Sequence, residues 1–254
     1  MSLVDKIKEV IIPEGSIGIW WLGQAGFIIK MSSDEVIIID VYLSDCCERI
    51  HGFKRITQSP LKAEELEGSL VIVTHAHYDH FDIDSVPIFM DKPDIKLAGP
   101  ESVINESLKL GINRAKLILL QEGKEIGFKK FKLLPVYSDH GNLAPDALGF
   151  ILDFNYFKLY FTGDTAYRPE KMKLAIQNKP EIIILPINGK FDNLTPVQAA
   201  KLAKDVKAKV SIPCHFWTFI EHNGNPLAFS KALKKYTPGC ESKILSVGEG
   251  FIYP

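Results

Sequence analysis

Val71-Ile72-Val73-Thr74-His75-Ala76-His77-Tyr78-Asp79-His80 carries a β-branched, strand-forming run straight into three histidines and a carboxylate. These are the side chains that bind zinc-like divalent ions through nitrogen and oxygen. A short apolar run of this kind reads as a buried strand, so the ligand-type residues begin where a rigid element ends. His75 and His77 are two apart, and an extended chain places both imidazoles on one side as a chelating pair. Asp79 and His80 are adjacent and diverge unless the backbone turns. The segment can therefore supply two ligands to one ion and two to a second. Two such ions about 3.5–4 Å apart form a hydrolytic clamp around an acidified water. The competing reading is a solvated polar turn. The chain has seven histidines and three of them lie in this segment, which favours the metal.

Three further segments repeat the pattern of a strand followed by a ligand-type residue. His140 follows Phe131-Lys132-Leu133-Leu134-Pro135-Val136-Tyr137, Asp164 follows Leu159-Tyr160-Phe161-Thr162-Gly163, and His215 follows Val210-Ser211-Ile212-Pro213-Cys214. An earlier carboxylate, Asp40, ends Val36-Ile37-Ile38-Ile39. In this order the motifs resemble the metallo-β-lactamase superfamily, over roughly residues 16 to 252. The resemblance implies an α/β protein built as an αββα sandwich, two mixed β-sheets flanked by helices, in a single domain over 1–254. It implies that His75, His77 and His140 hold one divalent ion, that Asp79, His80 and His215 hold a second, and that Asp164 bridges them. Asp40 then props the metal loop. Zn2+ is the first expectation for both ions and Mn2+ the second. Each residue alone has an ordinary reading, since an isolated histidine or a turn aspartate is commonplace. Together the motifs use five of the seven histidines.

The 254 residues carry 30 basic and 31 acidic side chains, 46% apolar residues and a pI near 6.7. That is the profile of an ordinary globular protein. A near-zero net charge argues against a dedicated nucleic-acid partner. No apolar stretch reaches the ~18 residues of a membrane span, so no membrane partner is expected. Met1-Ser2-Leu3-Val4-Asp5-Lys6 lacks the pattern of a secretion signal, which makes a cytoplasmic location the expectation. The cysteines Cys46, Cys47, Cys214 and Cys240 make no disulfide framework. A small-molecule substrate is the expected partner, and a homo-oligomer is compatible with the sequence.

Along the chain, an amphipathic turn spans about 3 to 10, then Ile17–Trp21, Phe27–Lys30 and Val36–Val41 read as an antiparallel meander. The neighbours Trp20 and Trp21 point to opposite sides, with core packing the favoured role for both. Residues 42 to 68 show no periodic pattern but hold Tyr42, Asp45, Cys46, Cys47, His51, Lys54 and Arg55, which either contact substrate or form a solvated loop. Asp82 or Asp84 caps a helix to Met90. A strand over Asp94–Ala98 follows, and Pro100 opens a helix that buries Val103, Ile104 and Leu108 and stops at Gly111. Strands are expected at Ala115–Leu120, Glu125–Phe128 and Lys130–Tyr137, and a hairpin at Ala147–Phe161 turning at Asn155. Pro169 starts a helix to Gln177, and Glu181–Leu185 is a buried strand. Thr195-Pro196-Val197-Gln198 carries the signature of a helix N-terminus. Asn225-Pro226 starts a last helix burying Phe229, Ala232, Leu233 and Tyr236, before strands at Lys243–Val247 and Phe251–Tyr253.

The chemistry that follows from the resemblance is hydrolysis by a metal-bound hydroxide, with Asp79 orienting the nucleophile and carrying a proton to the leaving group. Cys214 sits beside His215 and reads as a small buried residue rather than a nucleophile. Trp20-Trp21-Leu22-Gly23-Gln24-Ala25-Gly26-Phe27, Asp40-Val41-Tyr42-Leu43-Ser44-Asp45 and Ile212-Pro213-Cys214-His215-Phe216-Trp217 resemble the branch containing L-ascorbate-6-phosphate lactonase. This implies an ester or lactone bond on a small anionic substrate, with Lys54, Arg55, Arg168 and Lys190 as the cationic candidates. The chain departs from that branch by its shorter length and at Asn188-Gly189-Lys190-Phe191. Two alternatives stand: a phosphodiesterase or nuclease of the same superfamily, and a non-catalytic metal-stabilised binding protein.

Overall fold

β-Branched runs separated by glycine- and aspartate-rich turns build two mixed seven-stranded sheets, one in each of two units. The computed structural model describes residues 2–254; Met1, which opens the N-terminal reading above, lies outside the described residues.

The first unit comprises the chain up to Leu119 with Thr218–Glu221 and Leu245–Pro254. Its strands lie in the order Gly250–Tyr253, Ile17–Gly23, Gly26–Met31, Val36–Ile39, Leu70–Ile72, Lys96–Gly99, Leu117–Leu119. Pairing is antiparallel up to Val36–Ile39 and parallel beyond it. The expected meander is therefore present, and every residue of its first two strands is buried. Both Trp20 and Trp21 are buried. A Cβ at Gly18 or Gly250 would enter the Trp20 ring, so both positions require glycine for close approach. The helix Leu3–Glu9 buries Val4 and Ile7 and starts at a capping box of Ser2 and Asp5. Its far end is closed by a buried cation: Lys30 Nζ donates to the carbonyls of Ile7, Lys8 and Val10 at 3.2, 2.8 and 2.9 Å. Helices Val86–Met90 and Glu101–Lys109 occupy the expected places. Leu108 departs from expectation, being 43% exposed while Val103 and Ile104 are buried.

In the second unit, Leu120–Trp217 with His222–Ile244, the order is Glu241–Ser242, Val210–Cys214, Ile182–Pro186, Lys158–Phe161, Leu148–Asp153, Lys132–Tyr137, Ile126–Gly127. Here the first four are parallel and the remainder antiparallel. The run Ile182-Ile183-Ile184-Leu185 is wholly buried, as a strand central to a parallel sheet must be. Asn155 makes the hairpin turn with φ 71°. Helices Pro196–Val206 and Pro226–Tyr236 begin at the predicted caps, Thr195 and Asn225. Three expectations shift. Tyr236 is only half-buried, whereas Phe229, Ala232 and Leu233 of the same helix are buried as expected. The helix after Pro169 begins only at Lys173, because Lys171 and Met172 N–H groups both return to the Arg168 carbonyl and form a separate turn first. The strand expected over Lys243–Val247 is instead Glu241–Ser242, and its pairing with Val210–Cys214 stops there.

Parallel order decides where side chains gather. Val36–Ile39 and Leu70–Ile72 run together, so Asp40 and the histidine loop leave the first sheet at the same edge. In the second sheet, Lys158–Phe161, Ile182–Pro186 and Val210–Cys214 run together, so Asp164, Asn188 and His215 follow strand ends at one edge. Lys132–Tyr137 is two antiparallel pairings away and points the same way, which brings His140 to that edge.

Candidate metal centre

In the first unit the chain leaves Leu70–Ile72 and tightens: the N–H groups of His80 and Phe81 both donate to the His77 carbonyl, at 2.9 and 2.7 Å. This turn is the condition under which the adjacent Asp79 and His80 act on the same side. Asp40 anchors it. Its carboxylate accepts the Thr74 N–H at 2.8 Å, the Thr74 hydroxyl at 2.6 Å and His80 Nδ1–H at 2.7 Å. Burial pushes the Asp40 carboxyl above the ordinary carboxylate range, against the pull of His80 and Thr74. The Thr74 hydrogen is given to Asp40, so its oxygen receives His75 Nδ1–H at 3.0 Å. Both His75 and His80 thereby keep Nε2 as a lone pair, the form a metal requires. His75 Nε2 lies 3.0 Å from His77 Nδ1, and His80 Nε2 lies 3.6 Å from Asp79 Oδ2. Gln24 holds Asp79 from the other side, its Nε2 donating to Oδ2 at 2.7 Å, while its own backbone N–H donates to Thr218 Oγ1 at 2.9 Å.

The second unit gathers its own set around Asp164, which is buried with His140 and His215. Asp164 Oδ2 is 3.0 Å from His215 Nε2 and 3.9 Å from His140 Nε2. Asn193 Nδ2 donates to the same oxygen at 2.7 Å. The backbone is fixed as well: the Asp164 carbonyl accepts Ser138 Oγ–H at 2.8 Å, and Thr165 Oγ1 accepts the Asp139 N–H at 2.9 Å. His215 reaches its place through a left-handed backbone at φ 59°, costly for a non-glycine residue and a frequent mark of functional sites.

Both sets fit a divalent cation on donor chemistry alone. Two ligands each about 2.0–2.2 Å from one ion lie roughly 3–4 Å apart. The separations of 3.0 and 3.6 Å in the first unit and 3.0 and 3.9 Å in the second fall in that range. Neutral imidazole nitrogens and carboxylates suit zinc and, with more oxygen character, manganese. The structure thus brings His75, His77, Asp79 and His80 together in one unit and His140, Asp164 and His215 in the other.

Several supporting residues were not singled out from the sequence. Gln24 and Asn193 are ordinary polar residues of connections that follow strands, and the sequence offers no stronger signal for either. His222 is another: its ring packs 4.5 Å from that of His215. The segment 42–68 proves mostly structural. Tyr42, Cys46 and Cys47 pack with Phe219 in a small apolar cluster, and Asp45 precedes the helix Cys46–His51. Hydrogen bonding with Cys46, and then burial, holds the Cys47 thiol far above its ordinary range, so it is no nucleophile. The Arg55 guanidinium stacks 4.6 Å over the Tyr42 ring, whereas Lys54 is exposed and lies 4.0 Å from Glu48. His51 stacks on Tyr78 at 5.7 Å. Asp82, close to Cys46 and Asp84, is saturated by Leu43, Ser44 and Ser85 donors and organises its loop. Arg168 pairs with Asp139 at 3.2 Å, and Lys190 is exposed. All four cysteines are outside disulfides and buried, Cys214 included. No helix among the described residues is long and apolar enough to cross a membrane.

Comparison with known proteins places these features in context. Residues 39–216 match the family model described as the β-lactamase superfamily domain. A protein of Polynucleobacter asymbioticus named UPF0173 metal-dependent hydrolase is 27% identical over 259 residues, covering 93% of this chain and 86% of its own. One of the same name from Aeropyrum pernix is 27% identical over 251 residues, covering 91% and 95% respectively. Among solved structures, Igni18, described as a novel metallo hydrolase from the archaeon Ignicoccus hospitalis, has the same fold. Its TM-score is 0.76 at 20% identity, over 94% of this chain and 99% of that one.

Proposed function

We propose a function from one premise: the chain belongs to the metallo-β-lactamase superfamily and has its fold, two mixed sheets flanked by helices. It is a metal-dependent hydrolase that acts on an ester or lactone bond of a small anionic molecule. The observation that carries this reading is the pairing of donors at ligand spacing, with His75 and His80 each anchored at Nδ1, by Thr74 and Asp40 respectively, and presenting Nε2. In this reading His75, His77 and His140 would hold one ion, Asp79, His80 and His215 would hold another, and Asp164 would serve both. Zinc is the first candidate and manganese the second. When bound, such ions acidify water and offset charge on the developing oxyanion.

The chain's own groups do the rest. Asp79, steadied by Gln24, orients the attacking water and carries its proton to the leaving group. Asp40 and Thr74 keep the imidazoles of His75 and His80 from rotating. Asn193 fixes which Asp164 oxygen faces His215. The lactone preference is supported by the three stretches that resemble the lactonase branch, and the anionic preference by the exposed Lys190 and the half-exposed Arg168.

Elemental analysis of protein purified without added metal, followed by assays on lactones, phosphodiesters and a β-lactam, tests the proposal. The expected result is two equivalents of divalent metal and turnover of lactones alone. His77→Ala and His215→Ala, one in each unit, should each abolish turnover and, if the proposed two-ion assignment holds, lose metal non-additively when combined. Cleavage of cyclic nucleotides or RNA would replace the lactone reading with a phosphodiesterase. Inertness on every ester would leave a binding role.

A further inference from the structure

The loop Asn188–Leu194 in the second unit presents a feature that metal binding does not use. Phe191 is 43% exposed, and its backbone is held at φ 53°. Asp192 follows at φ 59° and Gly189 precedes it at φ 64°. Trp217, two residues after His215, is 55% exposed at φ 60°. Left-handed backbone is rare for bulky residues, and the sites where it persists are mostly functional ones. Here it leaves two large aromatic residues about half-exposed, so burial of apolar surface does not by itself account for it.

Both residues meet His222, Phe191 at its ring and Trp217 at its backbone carbonyl. The His222 ring stands edge-on to Phe191 at 5.4 Å and tilted against His215 at 4.5 Å. The His222 carbonyl accepts the Trp217 N–H at 2.7 Å. The two exposed aromatics are therefore tied, through His222, to a residue of the metal set. Lys190, next to Phe191 in the chain, is exposed and enters no ion pair among the described residues.

We infer that Lys190, Phe191 and Trp217 form a recognition subsite for an aromatic carboxylate, the part of the substrate that does not react. Phe191 and Trp217 take the planar apolar face, and Lys190 takes the carboxylate. His222 is the positioning residue that keeps Phe191 in register with His215. The inference deepens the proposed hydrolase reading by naming the class of substrate, and rests on that reading for its role in turnover.

The test reads binding, not turnover. Metal-loaded protein is titrated calorimetrically with phenylacetate, phenylacetamide and acetate. Phenylacetate should bind about tenfold tighter than acetate, the scale of one good aromatic contact. Phe191→Leu and Trp217→Leu should each lose about that factor, and Phe191→Tyr should retain it. Lys190→Gln should weaken phenylacetate and leave phenylacetamide unchanged. Because Trp20 and Trp21 are buried, quenching of tryptophan fluorescence by phenylacetate should vanish in Trp217→Leu. Equal affinity for phenylacetate and acetate, or a Phe191→Leu protein that binds like the wild type, overturns the subsite. Absence of ester hydrolysis would count against the hydrolase reading alone, since the titrations do not depend on it.

Discussion

Asp40 is the residue on which the first ligand set turns, though it is not itself among the ligands. Its carboxylate receives three hydrogen bonds in a fully buried setting, and two of them decide the tautomers of His75 and His80. Asp40→Ala strands Thr74 and His80 without an acceptor and is expected to cost about 3 kcal/mol or more in urea denaturation. Asp40→Asn keeps the shape but replaces an acceptor oxygen with a donor nitrogen. Metal affinity should then fall about 10- to 100-fold in a competition titration, the usual effect of losing a partner behind a ligand. Phe191 poses the opposite case. Left-handed backbone costs a non-glycine residue about 1–2 kcal/mol, so Phe191→Gly should raise the melting temperature while weakening phenylacetate binding about tenfold. A variant that loses both stability and binding would mean that the ring serves packing.

At the level of elements, two helix ends hold more than their own turns. Thr195 caps Pro196–Val206, with its hydroxyl accepting the Gln198 N–H at 3.3 Å and Gln198 Oε1 accepting the Thr195 N–H at 2.9 Å. The same loop carries Asn193 to Asp164. Thr195→Ala should cost about 1 kcal/mol by chemical denaturation and also weaken metal binding, whereas a cap remote from the site would cost stability only. Lys30 closes the helix Leu3–Glu9 with three carbonyl bonds while its side chain is 5% exposed. Lys30→Met retains the apolar stem but leaves those carbonyls unmet. The expected loss is about 2 kcal/mol, with faster amide exchange confined to residues 3–9.

For the whole molecule, metal and fold should be separable. The ligands sit on loops beyond strand ends, while each sheet has its own apolar core: Ile37, Ile38 and Ile39 in the first, Ile182, Ile183 and Ile184 in the second. Chelation should therefore leave the far-UV circular dichroism spectrum intact. It should lower the melting temperature by roughly 10 °C, because ligand present at about 1,000 times its Kd adds about 4 kcal/mol. Loss of helical and sheet signal on chelation would show that the metals are needed for folding itself. The folds of small zinc domains behave that way, but a chain of 254 residues with two buried sheets has no such need.

The chain's periodicity alone determined most elements. The crowding of His75, His77, Asp79 and His80 behind a strand marked one group of ligand-type residues, whereas His140, Asp164 and His215 stand out only through the family resemblance. Runs such as Val36–Ile39 and Val210–Cys214 admit few states but buried strand, and histidines crowded behind a strand are rare enough to mark themselves. Cap chemistry placed the starts at Thr195 and Asn225 because those bonds are local. The order of strands and the roles of Gln24, Thr74, Asn193 and His222 required the tertiary structure. In sequence these are common polar residues of turns and loops, and each acquires its function from a partner such as Asp79, Asp40, Asp164 or His215. Except for Thr74, which also meets its neighbour His75, and His222, which lies seven residues from His215, those partners lie many residues away along the chain. The delayed helix start at Lys173 belongs to the same class, since a competing turn at Arg168 is settled by which carbonyl the folded backbone presents. Local propensity fixes what a segment is; only the packed chain fixes which distant group it meets.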